Sequence, residues 1–199
     1  MSIKSVTVYA ASSQALEPVY IDAAERLGRT LGSAGLRVIY GGGSTGLMGA
    51  MADGALAEGT EVLGIIPEFL TRVERGHQGL HTLEVVSDMR VRKARMLEEC
   101  DAVIALPGGC GTFEELFEAM TLKRLGQFLG PIVLVNTNSY YDRLLDFLEY
   151  AVSEHFMNRT HLDLWQTVAQ PEEVPAAMRD AMSWSAREAL DSAAVKRPS

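Results

Sequence analysis

Short β-branched and apolar runs alternate along this chain with longer stretches of helical period, and that alternation restricts the fold more than any other feature. Runs at 6–10, 38–40, 62–66, 83–86, 102–106 and 132–135 read as strands, and the intervening 20–34, 46–58, 89–99, 113–125 and 141–154 are long enough for crossover helices. Consecutive βαβ units with right-handed crossovers give a mostly parallel sheet covered by helices on both faces. The predicted fold class is therefore α/β, a Rossmann-like doubly wound sheet. Ligands of such sheets bind beyond the carboxyl ends of the strands.

At 199 residues and 47% apolar content the chain fills one domain, expected over 1–184, with a flexible tail over 185–199. A formal net charge of −8 argues against nucleic acid or an anionic membrane as partner, because both reward clustered basic charge. Two cysteines, Cys100 and Cys110, show neither a disulfide framework nor metal-ligand spacing, which suggests a reducing cytoplasm. No segment reads as an export leader or a membrane span, so a soluble cytoplasmic protein is expected.

Two glycine turns follow strands and should open on one edge of the sheet. The first is Gly41-Gly-Gly-Ser-Thr-Gly46; the second lies in Pro107-Gly-Gly-Cys-Gly-Thr-Phe-Glu-Glu115. Neither is a Walker loop, since no Gly-Lys-Ser/Thr opens the following helix. The first has dinucleotide-type spacing, but its strand is not the first of the fold and Glu61, about 20 residues on, begins a strand rather than ending one, so hydride transfer is a poor third reading. In the second, glycines admit a ligand where a Cβ would clash, and the first-turn amides of the next helix can hold an anion. Glu115 then sets a carboxylate beside that anion. Alternatively, Thr112 and Glu115 form a capping box that only starts the helix, and the two readings are compatible.

Arg90, Arg92, Lys93 and Arg95 gather four cations in an otherwise acidic chain, and Arg92 and Lys93 flank a stripe of Met89, Met96 and Cys100 at helical spacing. A cation at the edge of a buried stripe needs a partner, and phosphate or the Glu115 carboxylate would serve. His77 and His81 are four residues apart, but Gly76 and Gly79 disfavour a helix there and no third metal ligand is spaced with them. Lys4, Lys123 and Lys196 show no Schiff-base setting.

Together, Tyr40-Gly-Gly-Gly-Ser-Thr-Gly-Leu-Met-Gly49, Met89-x-x-Arg-Lys93 and Pro107-Gly-Gly-x-Gly-Thr-x-x-Glu115 resemble the LONELY GUY family of cytokinin riboside 5′-monophosphate phosphoribohydrolases, once labelled lysine decarboxylases. The resemblance runs from about residue 6 to about 154. It implies a homodimer that hydrolyses the N-glycosidic bond of AMP or its N6-substituted relatives, with no metal or redox cofactor. The rival is a nucleotide-binding module of the same fold without hydrolysis. By the same resemblance Arg92 and Glu115 are the catalytic pair, and Gly108, Gly109, Gly111 and Thr112 hold the phosphate. Glu74, Met89, Lys93 and Thr121 line the nucleotide site, as do Cys110, Phe113 and Glu114 of the second turn and Gly42 and Gly43 of the first. Three departures affect base preference and dimer contacts: Arg90 for a common histidine, Thr121-Leu-Lys-Arg-Leu-Gly126 without the usual tryptophan and glutamine, and Ala10-Ala-Ser12 for Cys-Gly-Ser.

Overall fold

The computed structural model describes residues 3–72 and 76–193. Seven strands form one sheet in the order β4-β3-β2-β1-β5-β6-β7, and every pairing is parallel. They are β1 Ser5–Tyr9, β2 Arg37–Tyr40, β3 Val62–Pro67, β4 Thr82–Val86, β5 Ala102–Ala105, β6 Ile132–Val135 and β7 Gln166–Val168. The chain lays β1 to β4 outward in one direction, then crosses back to place β5 against the other side of β1. That reversal opens a crevice at the carboxyl ends of β1 and β5, where open α/β sheets take ligands.

The helices are α1 Pro18–Ser33, α2 Gly46–Ala57, α3 Met89–Glu98, α4 Cys110–Arg124, α5 Asp142–Ser153, α6 Val174–Asp180 and α7 Ala186–Ser192. Strand residues alternate between two cores, as period-two geometry requires. Val6, Val8, Val38, Tyr40 and Ile104 pack with α1, α2 and α6, whereas Tyr9, Ile39, Val103 and Ala105 pack with α3, α4 and α5. Most β-strand residues are buried, which is why they read as apolar runs with few polar interruptions.

The strand β7 has only three residues and carries no period that its sequence could display. Beyond it, the chain departs from the expected flexible tail after Ser185: Ser185 and Glu188 form a capping box that starts α7. Ala189 is fully buried, His161 Nε2 donates to Ser192 O at 2.9 Å, and Arg124 Nη1 donates to Ala193 O at 2.9 Å. The remaining tail residues, 194–199, lie outside the described residues.

Candidate active site

The helix α4 begins at Cys110 with Gly109 as N-cap, and no side chain caps it. Thr112 is therefore inside the first turn and Glu115 in the second, so the Thr112–Glu115 capping box does not form. The reason is steric. A Cβ on Gly108 would lie 2.1 Å from Thr112 Oγ1, so the bare α-carbon of Gly108 lets the Thr112 side chain fold back over the loop and the helix start earlier. The first intrahelical bond runs from Phe113 N–H to Gly109 O at 3.0 Å, leaving the amides of Cys110, Gly111 and Thr112 ahead of the hydrogen-bond ladder. A Cβ on Gly109 or Gly111 would meet nothing within 4 Å. Nothing among the described residues requires glycine at those two positions; a closely approaching ligand would.

Glu115 and Arg92 face each other across the α3–α4 side of the sheet, with both side chains only 8% exposed. The nearest approach, Arg92 Nη2 to Glu115 Oε1, is 3.7 Å, an ion-pair distance but too long for a hydrogen bond. Among the described residues Arg92 Nε is buried without a hydrogen-bond partner, and Nη1 finds the Met89 sulfur at 3.7 Å. A buried, incompletely satisfied guanidinium is costly and marks a place where a ligand acceptor fits. Burial pushes the Glu115 carboxyl up to about 7; Arg92 opposes that rise and Glu114 adds to it. Tyr9, at the end of β1, is raised well above its ordinary value, first by burial and then by the Glu115 charge.

The first glycine turn supports this pair from beneath. A Cβ on Gly41 would lie 1.9 Å from Arg92 Nη2, so that glycine provides the space the guanidinium occupies. Gly42, at φ 77°, accepts a bond from His77 N–H at 3.0 Å, while Gly43 bridges to Gly76 and accepts from Tyr40 Oη at 3.2 Å. His77 is anchored through both ring nitrogens: Nδ1 accepts from Gly79 N–H at 3.1 Å and Nε2 lies 2.9 Å from Asp53 Oδ1. His81 Nδ1 separately accepts from Val62 N–H at 3.3 Å. The two histidines brace different loops.

Lys93, one residue beyond Arg92, hydrogen-bonds Glu114 and lies 3.0 Å from Glu118 Oε2. Those carboxylates, Glu114 first, raise its ammonium and hold it charged. Cys110 is exposed at the helix start, and Phe113 packs edge-on against Tyr141 with ring centres 6.4 Å apart. Thr121 is not gathered with the others. It is exposed on the side of α4 opposite Thr112, in a groove of about 340 Å³ lined by Phe117, Arg124, Phe156 and Trp165. Glu74 lies outside the described residues.

Sequence reasoning missed two tyrosines that hold the second glycine turn, and it missed the burial of Lys123 at the far end of α4. Tyr140 and Tyr141 reach the second glycine turn from the loop after β6, and nothing in their local pattern signals it. Lys123 is 2% exposed, donates to Gly130 O at 2.9 Å, and burial lowers its ammonium to about 8. Its position three residues after Met120, on the buried side of α4, is the one signal that pointed inward.

Residues 48–178 match a family described as "Possible lysine decarboxylase". The chain is 47% identical over 155 residues to the cytokinin riboside 5′-monophosphate phosphoribohydrolase of Rhodococcoides fascians, spanning 77% of this chain and 78% of that one. It is 41% identical over 155 residues to the enzyme of that name from Arabidopsis thaliana, covering 78% and 71%. Among solved structures, the molybdenum cofactor carrier protein of Chlamydomonas reinhardtii shares the fold at a TM-score of 0.69 and 18% identity, covering 90% of this chain and 98% of that one. The molybdenum cofactor binding protein of Rippkaea orientalis does so at 0.68 and 21%, covering 90% and 97%.

Proposed function

Since this chain belongs to the family of cytokinin riboside 5′-monophosphate phosphoribohydrolases, we propose that it cleaves the N-glycosidic bond of N6-substituted adenosine 5′-monophosphates, releasing free base and ribose 5-phosphate. The observation that carries the reading is the buried Glu115–Arg92 pair beside an uncapped helix start. The phosphate takes the amides at the start of α4 over Gly109 and Gly111, where a helix N-terminus favours an anion. The ribose then lies toward Glu115.

Breaking the C1′–N9 bond builds positive charge on the sugar, which a nearby carboxylate stabilises. Held at about 7, Glu115 is balanced between its two forms near neutral pH and suits a general base. Water adds to C1′ as the bond to N9 breaks and its electron pair leaves with the base. The water proton passes to Glu115 and from there to the departing purine. Arg92, whose Nε has no partner among the described residues, offsets charge on the leaving group or orients the carboxylate. Lys93, Met89, Glu114 and the Gly42–Gly43 turn complete the walls. A lysine-based decarboxylation has little support: Lys93 is tied to two carboxylates and Lys123 is buried against Gly130 O.

The homodimer is assigned to the α4–α5 side. Phe156 is 82% exposed there, Phe147, Tyr150 and Phe117 are also exposed, and a second copy would cover this apolar surface with Thr121. Free thiols at Cys100 and Cys110 support a cytoplasmic setting. Incubation with AMP and with N6-isopentenyl-AMP, followed by chromatography for free base, tests the reading. Nucleotide binding without product from either would leave a binding module instead.

A further inference from the structure

Four successive carbonyls at the end of β5 are each taken by a donor. Tyr141 Oη donates to Leu106 O at 2.7 Å, Ala11 N–H to Pro107 O at 3.3 Å, Tyr140 Oη to Gly108 O at 2.6 Å and Phe113 N–H to Gly109 O at 3.0 Å. In a trans peptide the C=O and the following N–H point in opposite directions, and the described residues hold no cis bond. Drawing the Gly108 carbonyl toward Tyr140 therefore turns Gly109 N–H the other way, and drawing the Gly109 carbonyl into the helix does the same for Cys110 N–H.

We propose that Tyr140 is a positioning residue for phosphate recognition, its hydroxyl fixing the Gly108–Gly109 peptide plane so that the Gly109 amide faces the 5′-phosphate. The proposal rests on the phosphoribohydrolase reading for the identity of that phosphate. Tyr141 has a different job. Its carbonyl partner, Leu106, precedes Pro107, so that plane carries no N–H to aim. Tyr141 is also fully buried, whereas Tyr140 is 38% exposed at the mouth of the site.

The turn that delivers Tyr140 is strained. Asn138 and Ser139 take left-handed φ values of 54° and 57° in succession, a conformation that non-glycine residues adopt at a cost and that concentrates at functional sites. The turn is held by Asn136, whose Oδ1 accepts from Tyr141 N–H at 2.7 Å and whose Nδ2 donates to Asp142 at 2.7 Å. The Tyr140 ring is braced edge-on by Tyr20 and Tyr141, with centres 6.1 and 5.3 Å away. Removing the hydroxyl alone should leave the ring in place.

The test compares wild type, Tyr140→Phe and Tyr141→Phe by calorimetric titration with ribose 5-phosphate, by the NMR shift of the Gly109 amide, and by steady-state kinetics on AMP. Tyr140→Phe should raise the ribose 5-phosphate Kd and the AMP KM together by about 2- to 10-fold, the worth of one hydrogen bond, with kcat nearly unchanged. Tyr141→Phe should lower Tm and leave Kd unchanged. Wild-type affinity in Tyr140→Phe, or equal weakening in both variants, overturns the assignment. A wild type that ignores ribose 5-phosphate also overturns it, yet release of free base from AMP by the same preparation would keep the hydrolase. Conversely, a Tyr140-dependent Kd in a protein that never cleaves nucleotide sinks the hydrolase and keeps the cradle.

Discussion

Replacing Glu115 by glutamine should make the protein more stable and inactive at once, and the stability gain should depend on pH in a way the site geometry dictates. In the folded chain burial lifts the carboxyl from 4.5 to about 7, with the opposing pull of Arg92 already included. The folded state thus holds a proton that the unfolded chain has released, and stability falls as pH rises from 4.5 toward 7. Above about 7 both states are ionised and the loss levels off. Its full size is about 3 kcal/mol, and for a chain of this length that corresponds to about 6–12 °C in Tm. Glutamine imitates the protonated acid in shape and charge, so the variant should match wild type at pH 4.5 and exceed it by most of that amount at pH 8. Thermal melts of both proteins across pH 4.5–8, with turnover of N6-isopentenyl-AMP at pH 7.5, make the measurement. A stability difference that does not vary with pH, or a variant that still turns over, refutes the claim that a buried, reactive carboxylate sits there.

Gly41→Ala places a methyl 1.9 Å from Arg92 Nη2, the movable end of a side chain, so the fold should lose no more than about 1 kcal/mol while the guanidinium is displaced; kcat on AMP should fall by about 100-fold with Tm nearly kept. Lys123→Met removes an ammonium that burial lowers to about 8. Because the buried base costs stability as pH falls from 10.5 to 8, urea unfolding should show a gain of about 2 kcal/mol at pH 7, after loss of the bond to Gly130 O, and no gain at pH 10.5. Phe156→Glu puts a charge on the apolar α4–α5 side, and sedimentation should show wild type at twice the protomer mass and the variant at the protomer mass.

The six longer strands and five longer helices were legible because a parallel sheet covered on both faces buries most strand side chains, and the resulting apolar runs are local in sequence. The glycine turns were legible too, since bare backbone after a strand has few uses. Helix α4 was misread at its first residues: Thr112 looks like an N-cap, but the helix starts at Cys110, with Thr112 packed over the bare α-carbon of Gly108 four residues upstream. The last helix escaped because only Ala189 of its seven residues is buried, and the side chains that hold its end, His161 and Arg124, lie far back in the chain.

By itself, then, the sequence determined which residues could do chemistry: a carboxylate and a guanidinium placed near the two glycine turns, each on the inward side of its own helix. Tertiary structure alone decided that they meet. Arg92 and Glu115 belong to helices separated by β5, and they face each other because the chain reverses at β1, a choice of strand order that no local period encodes. The same reversal lets a strained turn after β6 send two tyrosines to consecutive parts of the β5 loop. Such contacts depend on summed packing across many residues, whereas a helix or strand answers to its neighbours along the chain.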